Sequence, residues 1–143
     1  MAENLPLPRP HERLDVWQDA MLLVEAIYRM TTHFPADERF GLATQMRRAA
    51  VSVPSNIAEG AARRSTPEYL RFLSMARGSL SELSTQIEIA HRLDLAGREF
   101  PAPALVDRTF ARLNALIRTH ERRIREPDAF PESPIPNPES HAR

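Results

Sequence analysis

The stretch LDVWQDAMLLVEAIYRMTTHF, Leu14 to Phe34, decides the fold. Leu14, Trp17, Met21, Val24 and Tyr28 recur at spacings of three and four. Val16, Ala20, Leu23, Ile27, Met30 and Phe34 run beside them as a second line. A helix of about 3.6 residues per turn gathers both lines onto one side. Together they fill about four of seven heptad positions, where an ordinary core-facing helix needs about three. A face this wide predicts burial on two sides, against a bundle core and against another subunit. Asp15, Asp19, Glu25 and Arg29 fall on the remaining polar positions, with Leu22 the exception. The acids are therefore available to a neighbouring subunit. Pro35 ends the helix.

Three more helices follow by the same reasoning. Leu42, Met46, Ala49, Val53 and Ile57 give the inner line of a second helix over about 36–59. Asp37 and Glu38 sit in its first turn, where acids suit the dipole, and Gly60 reads as its C-cap. Pro54 interrupts this helix. It lacks the N–H that Ala50 would receive, so a kink is expected, with Ser52 bonding back to the backbone. Ser65-Thr66-Pro67-Glu68 is a capping box that opens a third helix. Its inner line is Tyr69, Leu73, Ala76, Leu80, Leu83, Ile87 and Ala90. Gly78 in its middle costs about 1 kcal/mol of propensity, which close approach of a neighbouring helix would explain. Gly97, Pro101 and Pro103 mark a turn. The fourth helix, about 103–125, places Val106, Phe110, Leu113, Ile117, His120 and Ile124 inward.

These elements make an all-α chain, an antiparallel up-down four-helix bundle with a Pro-kinked second helix. Residues 1–11 read as a disordered arm, 12–125 as the bundle and 126–143 as a proline-rich disordered tail that could dock an extended partner. The N-terminal residues lack the apolar run of a secretory leader, and no stretch reaches the roughly 20 apolar residues of a membrane span. With no cysteine, neither disulfides nor thiolate chemistry are available, which suits a cytoplasmic protein.

Three segments carry a family resemblance: residues 14–35, with Val16-Trp17-Gln18; residues 40–65, with Gln45, Arg48, Ala49 and Ser52 to Gly60; and residues 68–93, with Phe72, Leu73, Ala76-Arg77-Gly78-Ser79, Glu82 and Leu83. They resemble the four-helix-bundle proteins encoded in intervening sequences of bacterial 23S rRNA genes, over roughly residues 12–125. The resemblance implies a ring, a homopentamer. It also implies similarity to the accessory subunit of diversity-generating retroelements, a basic pentamer that works with a reverse transcriptase and nucleic acid. For the family itself no biochemical activity is established, so the resemblance speaks to the fold and leaves the function open.

Net charge is zero, yet all 19 basic residues are arginine, and they cluster. A GC-rich genome also produces this usage. Several have an acid one turn away, as in Glu25–Arg29, Glu59–Arg63, Glu68–Arg71, Glu88–Arg92 and Glu121–Arg125. Arg47, Arg48, Arg64, Arg77, Arg112, Arg118, Arg122 and Arg123 have no acid one turn before them. Arg108–Arg112 and Arg118–Arg122 are like-charge pairs at i,i+4, which cost helix stability unless an anion or another subunit answers them. The guanidinium fork suits phosphate. The candidate nucleic-acid surface is therefore Arg47, Arg48, Arg63 and Arg64, with Arg118, Arg122 and Arg123 as a second patch, reading RNA or DNA backbone and not bases. The alternative is a protein-binding module whose arginines pair with acids of a neighbouring subunit. Trp17, Pro54, Asn56, Glu59, Gly60 and Gly78 are read as structural or assembly positions, although Asn56 and Glu59 beside the kink could form a polar niche.

Catalysis finds little support. No nucleophile elbow, P-loop or dinucleotide fingerprint occurs. A di-iron bundle needs two Glu-x-x-His motifs, and only Glu88 with His91 fits. No catalytic residue, metal or cofactor is expected, and His120 reads as a core or interface histidine.

Overall fold

The computed structural model describes residues 9–126. Among them are four long helices and no strand: α1 (Asp15–Thr32), α2 (Leu42–Ala61), α3 (Thr66–Arg92) and α4 (Pro103–Arg125). Contacts join α1 to α2, α2 to α3, α3 to α4 and α4 back to α1, which closes a bundle. The remainder of the arm and the tail from residue 127 lie outside the described residues. Of the arm, Pro10–Arg13 forms a 3-10 turn, and His11 packs its ring 4.9 Å from that of Trp17.

The second apolar line of α1 is the buried one. Val16, Ala20, Leu23, Ile27, Met30 and Phe34 are all in the core, whereas Met21 and Tyr28 of the first line stay exposed. Leu23, Ile27, Met46, Ile57, Leu73, Leu80, Leu83, Leu113 and Ile117 fill the centre. Each such side chain contributes on the order of 1.5–3 kcal/mol by leaving water. The inner line of α3 is buried as expected apart from a half-buried Tyr69. On α4 the line holds at Leu113, Ile117 and His120 but fails at Ile124, which is exposed.

Several local expectations need correction. The second helix begins at Leu42 and not near residue 36, because Ala36–Glu38 forms its own 3-10 turn and Gly41 leaves helical geometry. Glu38 still reaches the helix, since its carboxylate accepts the Leu42 N–H at 3.4 Å. Gly60 is not a C-cap. It lies inside α2, buried, and a Cβ there would stand 2.8 Å from Phe72 Cβ and 2.9 Å from the Tyr69 ring. Gly78 is the reverse case: it faces open space, with nothing within 4 Å of where its Cβ would be. The close approach that the sequence assigned to Gly78 is made at Gly60.

Pro54 is buried, and α2 is helical on both sides of it. The Ser52 hydroxyl does not bond back to the backbone of its own helix. It lies 2.9 Å from the Ser79 hydroxyl of α3 and accepts from Asn56 Nδ2 at 2.9 Å. Asn56 Nδ2 also donates to the Ser52 carbonyl, and Ser55 Oγ to that of Val51. Neither is the Ala50 carbonyl that Pro54 leaves without its usual donor.

Ser65 caps α3 as expected, its hydroxyl accepting the Glu68 N–H. The helix ends in a Schellman motif. Asp94 adopts a left-handed φ of 55°, and the Leu95 N–H reaches the Ala90 carbonyl at 2.9 Å. Asp tolerates that conformation better than most residues. The connection to α4 is then fixed by His91, whose Nε2 lies 2.8 Å from the Phe100 carbonyl, and by Glu88, which binds both Arg92 and Arg98.

Candidate nucleic-acid interface

The expected arginines do not form one surface. Arg47 is committed inside the chain. Its Nε donates to Thr31 Oγ1 at 2.8 Å, and its guanidinium lies 4.6 Å from the Tyr28 ring centroid. Arg47 thus ties α2 to the last turn of α1, which removes much of its freedom to meet a ligand. Arg48 beside it is exposed and makes no ion pair among the described residues. Arg63 and Arg64 lie about 16 residues further on, roughly 24 Å at a helical rise of 1.5 Å.

At that far end a second group assembles. Gly60 lets Phe72 and Tyr69 of α3 pack against the α2 backbone. Tyr69 in turn meets His120 of α4 edge-on, with ring centroids 4.4 Å apart. Arg63 binds Glu59 and lies 4.8 Å from the Phe72 ring, and Arg71 lies 4.9 Å from the same ring. Arg64, Arg118, Arg122 and Arg123 are exposed and make no ion pair among the described residues. Burial pushes the His120 pKa down, and Arg123 adds to the shift. Burial raises the Tyr69 pKa, with Arg123 opposing. The Nδ1 atom of His120 is buried without a hydrogen-bond partner. His120 is buried, as the core or interface reading expected, and this nitrogen has no partner within the chain.

The pair Arg108–Arg112 has its answer within the chain. Asp19 is buried, and its two carboxylate oxygens accept from Arg108 at 3.0 Å and Arg112 at 2.8 Å. Asp19 is consequently not available to a neighbouring subunit, contrary to the expectation from spacing. Of the local pairs expected, Glu59–Arg63 and Glu88–Arg92 form, whereas Glu25–Arg29, Glu68–Arg71 and Glu121–Arg125 do not. Arg71, assigned to Glu68 from spacing, instead joins the group around Phe72. Asn56 and Glu59 do not converge on a niche: Asn56 is turned to Ser52, and Glu59 is exposed on Arg63. Trp17 is half-buried against the core.

Glu88 and His91 approach to 3.9 Å, but Arg98 and Arg92 occupy the Glu88 carboxylate and hold its pKa below the usual range. No cluster of three metal-ligating residues occurs among the described residues. No helix among them is long and apolar enough to cross a membrane.

The family model for the 23S rRNA-intervening sequence protein matches residues 12–101. The chain belongs to that family. The matched span holds the end of the turn before α1, all of α1, α2 and α3, and most of the connection that follows. It stops short of α4, so the resemblance read over 12–125 is firmer for three helices than for the fourth. No curated protein matches the chain.

Proposed function

We propose that this intervening-sequence protein is a non-enzymatic cytoplasmic scaffold, an up-down antiparallel bundle assembled into a homopentameric ring that holds nucleic acid by its phosphates. Pro54 kinks α2 in this scaffold, and the ring multiplies each basic patch by the number of subunits. Weak contacts repeated around a ring gain avidity. The observation that carries the proposal is the end of the bundle around Tyr69 and His120. There Arg64, Arg118, Arg122 and Arg123 stand exposed without an ion pair among the described residues, while the equivalently spaced Arg108 and Arg112 both bind Asp19.

The aromatic rings at this end are turned into packing. Phe72 is buried, and Tyr69 is half-buried against His120. Base stacking is therefore not offered, and contact is to the backbone, without sequence readout. The test is a fluorescence-anisotropy titration with structured RNA and with duplex DNA at several salt concentrations. Binding with a log–log salt slope of several units supports the reading, because each phosphate neutralised releases condensed counterions. No binding at low salt, with the oligomer intact, turns the arginines into assembly residues and favours the protein-binding alternative.

A further inference from the structure

The most exposed large apolar side chain among the described residues is Phe40, at 89% of its full surface. It stands on the connection between α1 and α2, next to Gly41, with the Arg39 guanidinium 5.7 Å from its ring centroid. Isolated surface apolar residues are ordinary, but a phenyl ring presented almost whole to water is not neutral. Elsewhere on the molecule lies a groove of about 540 Å³ between α1 and the α3–α4 connection. Ala26, Met30, Leu95 and Phe100 make its apolar walls, and Arg29 and His33 stand at its edge. The pinned connection, with His91 on Phe100 and Glu88 on Arg98, keeps the groove formed without a ligand.

We infer that Phe40 of one copy inserts into this groove of the next copy. The charges match. Asp37 and Glu38 precede Phe40, and Arg29 and His33 flank the groove; neither Asp37 nor Arg29 has a side-chain partner among the described residues. The groove is several times larger than one phenyl ring and so has room for the ring together with its flanking chain, and Phe40 does not enter its own. Knob and groove are different surfaces of one chain, so the contact is heterologous. Repetition of such a contact gives a closed ring when the rotation allows, whereas a two-fold contact stops at a dimer. This inference rests on the oligomer in the proposed function and names its interface.

The test uses the full chain and two variants, Phe40→Ser and Ala26→Trp, with oligomer mass read by light scattering and folding by circular dichroism. Phe40→Ser removes the knob at an exposed position and cannot disturb the core. It should weaken assembly by at least about 30-fold, the scale of an interface hot spot. Ala26→Trp fills the groove and should do the same; Ala102→Trp, at an exposed lining position, replaces it if the first variant misfolds. Mixing the knob and groove variants leaves one intact knob and one intact groove. The mixture should form a species of twice the 16.3 kDa chain and nothing larger. An oligomeric wild type with unchanged mass in Phe40→Ser, or no dimer in the mixture, overturns the knob-and-groove contact alone. A monomeric wild type overturns the oligomer itself.

Discussion

Helix α4 carries the same arginine spacing twice, and the two pairs lie in different surroundings. Arg108 and Arg112 close on the buried Asp19 of α1. Arg118 and Arg122, ten residues further on, make no ion pair among the described residues, and the neighbouring surfaces are organised by packing: Gly60 under Tyr69, and Tyr69 against His120. One pair is a clasp and the other a charged surface. Spacing alone cannot separate them, because the deciding residue lies 89 to 93 positions away in the chain. What spacing does say is that each pair needs an anion. In the first case the anion is built in, and in the second no ion pair forms among the described residues.

The largest effect should come from breaking the clasp. Replacing both Arg108 and Arg112 with Met strands the Asp19 carboxylate, whose side chain is 4% exposed. Stranding a buried charge costs about 3–5 kcal/mol, and the low end applies because both guanidiniums are half in water. Urea unfolding should show the loss as a lower midpoint. A midpoint unchanged within error would mean that Asp19 is rehydrated in the folded state, and the two pairs would then be alike.

The packed end is probed by Gly60→Ala. Its methyl group would meet Phe72 and Tyr69 at under 3 Å, so one of them has to move. A destabilisation of about 1–3 kcal/mol is expected, the range for overpacking. Gly78→Ala is the matched control. It faces open space within the chain and should gain up to about 1 kcal/mol in the monomer from helix propensity. Equal effects at the two glycines would contradict the close approach at Gly60.

Acid should sharpen the contrast through His120. Its folded pKa lies below its ordinary 6.5, first because it is buried and then because of Arg123. The folded chain therefore binds fewer protons than the unfolded chain. The stability this gives is complete above pH 6.5 and is lost as pH falls toward the folded pKa. Thermal melts of wild type should decline with acid over that window, whereas His120→Leu should be flatter. Parallel curves would show that other groups govern acid sensitivity.

The smallest effect on stability belongs to Arg118→Gln with Arg122→Gln. Removing a like-charge pair should raise stability by a few tenths of a kcal/mol. The same double variant should lower the salt slope of nucleic-acid binding by about two units, because each arginine removed leaves one phosphate unneutralised. A destabilisation of the size expected at the clasp would reveal a partner for these arginines and erase the comparison.

The helices were legible in the sequence because apolar spacing is a local signal. Leu73, Ala76, Leu80, Leu83 and Ala90 fall where the pattern of threes and fours puts them. The polar exceptions were not. Asp19 occupies what looks like a solvent position and is buried only because α4 supplies two arginines to it. The roles of Gly60 and Gly78 were exchanged for a related reason. A glycine records that a side chain is missing, and which neighbour fills the space is a tertiary fact. The basic end was half visible: Arg63, Arg64, Arg118, Arg122 and Arg123 stood out, whereas Arg71 was assigned to Glu68 and Arg47 looked free. A residue's nearest acid in sequence is a weak guide once helices pack side by side.

The Asp19 clasp also bears on the order of folding. Ser52 with Ser79 and Tyr28 with Arg47 join helices that follow one another in the chain, 27 and 19 residues apart. Asp19 joins the first helix to the last, so its loop is the slowest to close. An interaction made after the rate-limiting step governs how fast the native state opens and leaves the speed of its formation nearly untouched. Breaking the Asp19 ion pairs should therefore steepen the escape from the folded state while refolding keeps its pace.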